Sequence, residues 1–346
     1  MMNKKFFASS NSYYGFHSLF GDIFKSEKFN KIFVIKGGPG TGKSSLIKSV
    51  AKFAEEIGGS ADRYYCSSDT NSLDGCIIRI GEKSFAILDG TAPHQRDAVF
   101  PMVIDETINL AEGIETDWIN GRKDEIIMLS SQKMNAYQAA YSYLRLAGEC
   151  YKEIQRKKIE KFHRHSALKY IRKNFNECDT EDESITSKRF ISSFSKDGYK
   201  MFWESHNKYD TSIKIGGDKI CTEILLKLIA ENIACKKIEI LPSPLSPDSP
   251  EKIITNDKDL ICASPDSYDV MSNNFFEISK TDSEEIRLIE KTHEAFLSEA
   301  ARWLSIASDI HFRLEDIYKN AMNFDNNLII FDKICKKILK VCDYSG

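Results

Sequence analysis

Apolar positions along the chain change rhythm near residue 100. Before it they form short β-branched or aromatic runs: Lys31–Lys36, Arg63–Cys66, Cys76–Ile80 and Phe85–Leu88 read as strands. Within this stretch Ser44–Ile57 instead carries apolar residues at helical spacing. From about Met102 to Lys173 there is no proline, and the only glycines are Gly113, Gly121 and Gly148. Here Tyr137, Tyr141, Leu144 and Ala147 fall on one face of a long helix. The rest of the chain repeats the order, an α/β stretch followed by helices from about Ser283 to Val341. Between the two parts Glu177–Ser184 is acidic, polar and aperiodic, so 177–187 reads as a linker between units 1–176 and 188–346.

The likeness of the two parts extends to the residues themselves. Phe7–Phe16 returns as Phe190–Tyr199, 183 positions on; Ser45–Ala51 returns as Ile224–Ala230, 179 on; Phe85–Leu88 returns as Leu260–Ala263, 175 on. Matches in constant order with a slowly shrinking offset mark a duplication that has lost a few residues.

Gly37-Gly38-Pro39-Gly40-Thr41-Gly42-Lys43-Ser44 has the form of a phosphate-binding loop, and its context fits. The apolar run Ile32–Ile35 leads in and the helical Ser45–Val50 leads out. Glycines let backbone amides turn inward around phosphate oxygens, and the helix start adds free N–H groups and a positive dipole end. Gly37 to Ser45 would hold the phosphates of a nucleoside triphosphate, ATP with Mg²⁺. Lys43 would reach the β- and γ-phosphates, and the Ser44 hydroxyl would meet the metal. The partner acid should end a neighbouring strand, and Asp89 after Phe85–Leu88 supplies one, unless it only caps the Asp-Gly turn. Gly90 follows where many motor ATPases carry a water-activating glutamate. Asp69, after the second strand, and His94 are the candidates to orient water or an acceptor hydroxyl, and Arg96 to bind transferred charge. Each of the three reads equally well as a turn cap or an ion pair. The expected architecture is α/β, a P-loop three-layer αβα fold present twice, each copy with a helical extension.

In the second copy Gly37–Ser45 falls on Gly216–Ile224, so that Lys43 becomes Thr222 and Ser44 becomes Glu223. A carboxylate at the helix start repels a triphosphate, and Asp89 falls on Ser264. This half is expected to be a docking surface or lever rather than a second nucleotide site. Its proline run Leu241–Pro250 sits where the first half has Cys66–Gly75, and reads as a stiff, ordered loop.

Composition narrows the setting. The chain is 42% apolar and 29% charged with net charge −3, which gives no global reason for a nucleic-acid or membrane partner. No apolar run approaches the ~20 residues of a membrane span, and Ser9-Ser10 interrupts the N-terminus too early for a signal peptide. The nine cysteines are scattered without a CxxC pair, as expected of free thiols in the cytoplasm. One segment departs from neutrality: 152–173 holds nine Lys or Arg against two Glu, a face that could grip nucleic-acid phosphates, dock on the acidic linker, or simply be solvated.

Taken together, Lys36–Ser44, Cys66–Asp69 with Ser72–Gly75, and Asp89–His94 resemble a bacterial family of two-domain P-loop proteins described only as ATP-binding proteins or ATPases. The resemblance implies a P-loop fold and ATP binding over nearly the whole chain, with no settled substrate. Members often keep a recognisable phosphate loop in the second half, and this chain does not. Three functions follow as expectations: a MgATP-hydrolysing switch, a phosphotransferase, or a nucleotide-gated module that binds nucleic acid, a protein partner or a second copy.

Overall fold

The computed structural model describes residues 4–175, 185–202, 211–233, 237–256, 259–264 and 268–343. The first half runs β1 Lys5–Phe7, β2 Ser9–Ser12, β3 Gly15–Ser18, α1 Phe20–Ile23, β4 Lys31–Lys36, α2 Lys43–Glu56, β5 Ser60–Tyr65, β6 Leu73–Ile80, β7 Lys83–Asp89, β8 Asp105–Asn109, α3 Thr116–Asn120, α4 Lys123–Glu160 and α5 Arg164–Asn174. The second runs β9 Ile185–Lys188, β10 Ser192–Ser195, β11 Gly198–Met201, β12 Thr211–Gly216, α6 Lys219–Asn232, β13 Lys237–Pro242, β14 Pro250–Thr255, β15 Asp259–Ala263, β16 Val270–Met271, α7 Lys280–Asn320 and α8 Asp325–Asp343.

The chain is α/β, and its halves share one topology. The first sheet has the order β1-β5-β6-β7-β4-β8 and the second β9-β13-β14-β15-β12-β16, element for element the same. In both, β-hairpin pairing joins the third strand in order to its neighbours, and the remaining pairs are parallel. Alternation along the strands divides the side chains between two cores, as the period of two requires. In the first half Phe33, Ile35, Phe85 and Ile87 face α2, whose Leu46, Ile47, Val50 and Ala51 are buried against them. On the opposite face Ile32, Val34, Ala86 and Leu88 join one core with α1 and with Leu241, Ile254, Leu260 and Cys262 of the second half. The third layer expected of an αβα unit is thus the short α1 together with the other half.

A pseudo-twofold axis relates the halves. Phe7 and Phe190, equivalent in the repeat, exchange backbone hydrogen bonds at 2.8 and 3.2 Å. Ser10 Oγ donates to the Pro244 carbonyl at 3.0 Å, and its counterpart Ser193 Oγ donates to the Ser67 carbonyl at 3.0 Å. This is the self-complementary pattern of an isologous interface, built within one chain.

The helical extensions depart from the sequence reading in three ways. The stretch from about 102 is not helical from its start: β8 Asp105–Asn109 pairs with β4 first. Asp105 is completely buried and receives Arg96, Ser26 and the amides of Val99 and Phe100, a use of carboxylate that periodicity does not reveal. The basic segment 152–173 is two helices, parted at Lys161–His163. The range 177–187 ends inside β9, which pairs with β13; Glu177–Ser184, like Cys178 and Cys235, lies outside the described residues.

Most important for the site, the distal helices cross over. Helices α4 and α7 pack along their length in antiparallel fashion, Leu129 meeting Leu314 near one end and Lys157 meeting Glu285 at 2.7 Å near the other. Their crossing carries α5 onto the second half, where Ala167 and Ile171 share a core with Leu225 and Ile229. It carries α8 onto the first, where Ile330, Ile334 and Ile338 pack with Ile47 and Val50. Matching bridges, Phe162 with Phe276 and Ile114 with Met322, pin the two crossovers. Among the described residues no helix is long and apolar enough to cross a membrane.

Candidate functional site

The loop after β4 and the start of α2 bring the motif residues together. Gly40 and Gly42 adopt φ of 72° and 90°, in the left-handed region that glycine occupies without strain. Thr41, fully buried, closes the loop by donating from Oγ1 to the Gly38 carbonyl at 2.9 Å. Lys43 folds back over it, its Nζ donating to the carbonyls of Gly37 at 3.0 Å and Gly38 at 2.7 Å. Because β7 pairs directly with β4, Asp89 ends beside the loop, with Oδ2 3.6 Å from Lys43 Nζ. Its Oδ1 accepts from the Thr91 amide and hydroxyl at 2.8 and 2.6 Å, so Asp89 also caps its turn. Ser44 Oγ accepts from the Leu73 amide at 2.9 Å, tying the helix start to β6. Helix α2 has Gly42 at its N-cap and no side-chain cap, which leaves its first-turn amides open to an outside acceptor.

The remaining predicted residues divide. Asp69 caps a turn, its Oδ1 accepting from the Asn71 amide at 3.0 Å. His94 is buried, stacked on Phe20 at 4.4 Å, with Nε2 3.5 Å from Asp74 Oδ2. That approach lacks hydrogen-bond alignment, and both Asp74 Oδ2 and His94 Nδ1 are buried without a partner. Arg96 points away, bound to Ser26 Oγ at 2.8 Å and Asp105 at 3.1 Å, so it serves the fold rather than the loop.

Asp74 is the residue that pattern reading passed over. The β6–β7 register ends with Gly75 on Leu88, so Asp74 and Asp89 lie just beyond it on neighbouring strands, close enough for Asp89 to act on the Asp74 carboxyl. Like charges facing each other across strands are destabilising, and Asp74 is 5% exposed. Burial pushes its carboxyl up to about 6; His94 opposes this and Asp89 adds to it. An acid standing near the start of a mostly apolar strand, Leu73–Ile80, was the available signal. Cys66 nearby is pushed well up by burial, and is no nucleophile at neutral pH.

Covering the loop from outside are the crossed-over helices of the second half. A Cβ at Gly38 would meet the Tyr318 ring at 3.0 Å, one at Gly40 would collide with the Glu315 carbonyl, and one at Gly42 would meet Asn327 Nδ2 at 2.6 Å. Asn327 Nδ2 donates to the Thr41 carbonyl at 3.0 Å.

The corresponding place in the second half is built differently. Helix α6 begins at Lys219, directly after Gly217 and Asp218, and its buried Leu225, Leu226 and Ile229 match Leu46, Ile47 and Val50 at the offset of 179. It therefore starts about a turn early, where the first half still has its loop. Asp218 caps it, accepting from the amides of Ile220 and Cys221 at 2.9 and 3.0 Å. Lys158 of α4, its side chain 3% exposed, donates to the same carboxylate at 2.5 Å. Burial works against that charge, but Lys158 and the Cys221 amide hold Asp218 below the usual carboxylate range. Glu223 is buried and raised by burial, and accepts from the Tyr151 hydroxyl at 2.7 Å. The register places Ala263, not Ser264, at the Asp89 position: Ile35 pairs with Asp89 and Ile215 with Ala263. Either way the metal carboxylate is absent there.

The part of the basic segment on and just after α4 is neutralised by neighbouring acids. Lys152 pairs with Glu149, Arg156 with Glu153 and Glu160, Lys157 with Glu285, and Lys161 with Asp282. The proline loop Ser243–Ser249 is buried, as an ordered connection would be, with the Ser243 amide donating to the Ser249 carbonyl at 2.9 Å. No group of three or more His, Cys, Asp or Glu able to hold a metal occurs among the described residues. No protein-family model, curated protein or solved structure matches the chain.

Proposed function

We propose that this chain binds a magnesium nucleoside triphosphate, ATP, at Gly37–Ser45 of a P-loop fold, and hydrolyses it as a switch with one open and one self-closed site. The supporting observation is the opposite capping of two equivalent helices: α6 satisfies its first amides with Asp218, whereas α2 has no side-chain cap. An uncapped helix start beside a lysine invites an external polyanion. The amides and Lys43, released from the Gly37 and Gly38 carbonyls, hold the phosphates. Ser44 and Asp89 are the residues that would hold Mg²⁺, a cation that commonly binds through one or two protein oxygens rather than a cage of acids. When bound there, the metal would supply charge neutralisation for the phosphates. Asp69 and His94 are the candidates to orient the attacking water.

Phosphotransfer to a small hydroxyl is the second reading, favoured by Gly90 where a water-activating glutamate would stand. Adenine rests on the resemblance alone. Asn207-Lys208-Tyr209-Asp210 spells the Asn-Lys-x-Asp pattern that reads guanine in other nucleotide-binding loops, and it lies outside the described residues. Calorimetric titration of MgATP and MgGTP into wild type and Lys43→Ala, with phosphate release measured alongside, tests the proposal. Lys43→Ala should weaken binding by about a hundredfold, the loss of strong charge-assisted hydrogen bonds. Equal affinities in the two proteins, or no binding to wild type, would end this reading.

A further inference from the structure

Helix α4 brings to the phosphate loop a cation that belongs to no motif. Lys133 lies four residues after Leu129 and four before Tyr137, and so on the same helical face. Leu129 is fully buried against Leu314 and Ile317 of α7, and the next residue of α7, Tyr318, lies on Gly38. The Tyr137 hydroxyl donates to Ser68 Oγ at 3.4 Å, in the loop that leaves β5. Lys133 is thus bracketed between the phosphate loop and Cys66–Asp69, and it is half-buried. Burial first, and the Lys43 ammonium second, push its pKa down, and no carboxylate pairs with it among the described residues.

Two ammonium groups brought together in a partly desolvated place, with no acid paired to one of them, is unfavourable for the chain alone. A polyanion between them removes the conflict. The second half shows the converse. Helices α4 and α7 align at an offset of 160, which superposes the buried Ala140, Leu144 and Ala147 on the buried Ala300, Leu304 and Ala307. Lys133 then falls on His293, which faces Tyr13, its Nε2 2.7 Å from the hydroxyl. Where the loop is closed by an internal carboxylate, the helix carries a histidine in place of the lysine.

We propose that Lys133 is a phosphate-binding residue of the nucleotide site, donating to the γ-phosphate and so distinguishing a nucleoside triphosphate from a diphosphate. The proposal rests on the nucleotide-binding reading above. Lys43 grips the β- and γ-phosphates from the loop. Lys133 approaches over Cys66–Asp69, on the side of the terminal phosphate.

The test is the affinity of wild type, Lys133→Met, Lys133→Arg and Lys43→Ala for MgADP and for the β,γ-imido analogue of MgATP. Lys133→Met should weaken the triphosphate analogue about ten- to a hundredfold and leave MgADP within about twofold. Lys133→Arg, which keeps the charge, should retain most of the analogue's affinity, and Lys43→Ala should weaken both ligands. Equal weakening of both ligands by Lys133→Met, no weakening of either, or loss of the analogue in the arginine variant overturns the assignment. If wild type binds neither ligand, the nucleotide reading itself has failed and this one falls with it.

Discussion

Two helices start at matching places in the two halves and treat their first amides in opposite ways. Before α2 the chain spends Gly37–Gly42 on a loop whose carbonyls hold Lys43, and it leaves the helix start without a side-chain cap. Before α6 it spends two residues, then supplies its own anion, Asp218, and its own cation, Lys158. The difference shows two ways in which one fold can finish a helix start. One half leaves its helix start uncapped beside a lysine that Asp89 approaches at 3.6 Å, and the other half of the same duplicated scaffold satisfies its amides internally by starting the helix one turn earlier.

The comparison can be broken most forcefully at Lys158. Lys158→Met leaves Asp218 without its cation, and removing one member of a buried pair costs about 3–5 kcal/mol. Because the Asp218 side chain is 32% exposed, the lower end, about 3 kcal/mol, is expected in urea unfolding. The Lys158→Met, Asp218→Asn double variant should recover part of that loss, since the two changes remove one interaction. Additive losses would mean that the pair does not close the second site.

The open half should show its strain as pH dependence. Asp74 has a folded pKa of about 6 against 3.8 for the ordinary group, so the folded chain holds its proton more tightly. Stability from this group is therefore fully present below about pH 4 and is lost as pH rises to about 6, by up to about 3 kcal/mol. Asp74→Asn should remove that fall, making the variant relatively more stable at pH 7 than at pH 4 when each is compared with wild type. An unchanged pH profile would show that burial does not hold the Asp74 carboxyl above its ordinary range. The smallest effect probes the shared frame: Ser10→Ala and Ser193→Ala each lose one buried hydrogen bond to the other half, about 1 kcal/mol apiece. Clearly unequal losses would show that the pseudo-twofold is geometric only.

Much of the frame was legible in the chain, because local rules govern it. Strand β4, helix α2 and strand β7 follow from runs of Ile, Phe and Val, from glycine placement and from a 3.6-residue period. The duplication was legible for the same reason: Phe7 and Phe190 meet on the axis that their repeat implied. What escaped was non-local. Strand β8 is an edge segment with the sequence Asp-Glu-Thr-Ile-Asn, whose first carboxylate is buried by partners distant in sequence. The crossing of α5 and α8 could not be read from amphipathic faces, since an apolar stripe does not say which sheet it will cover. Asp74 and Lys133 matter through what stands near them, Asp89 on the neighbouring strand and Lys43 across a gap, and neither relation has a fixed spacing.

The reciprocal crossing of the distal helices has a consequence for how the molecule can be divided. Each sheet has a stripe of its core filled by a segment encoded with the other, so the units suggested by the gene's own duplication are not units that could stand apart. Separation at the acidic stretch would give two fragments, each missing one wall and carrying a spare one that belongs elsewhere. The same arrangement makes α7 and α8 the roof of the glycine loop Gly37–Gly42, so that whatever happens at Gly38–Gly42 is felt first by residues some 280 positions later.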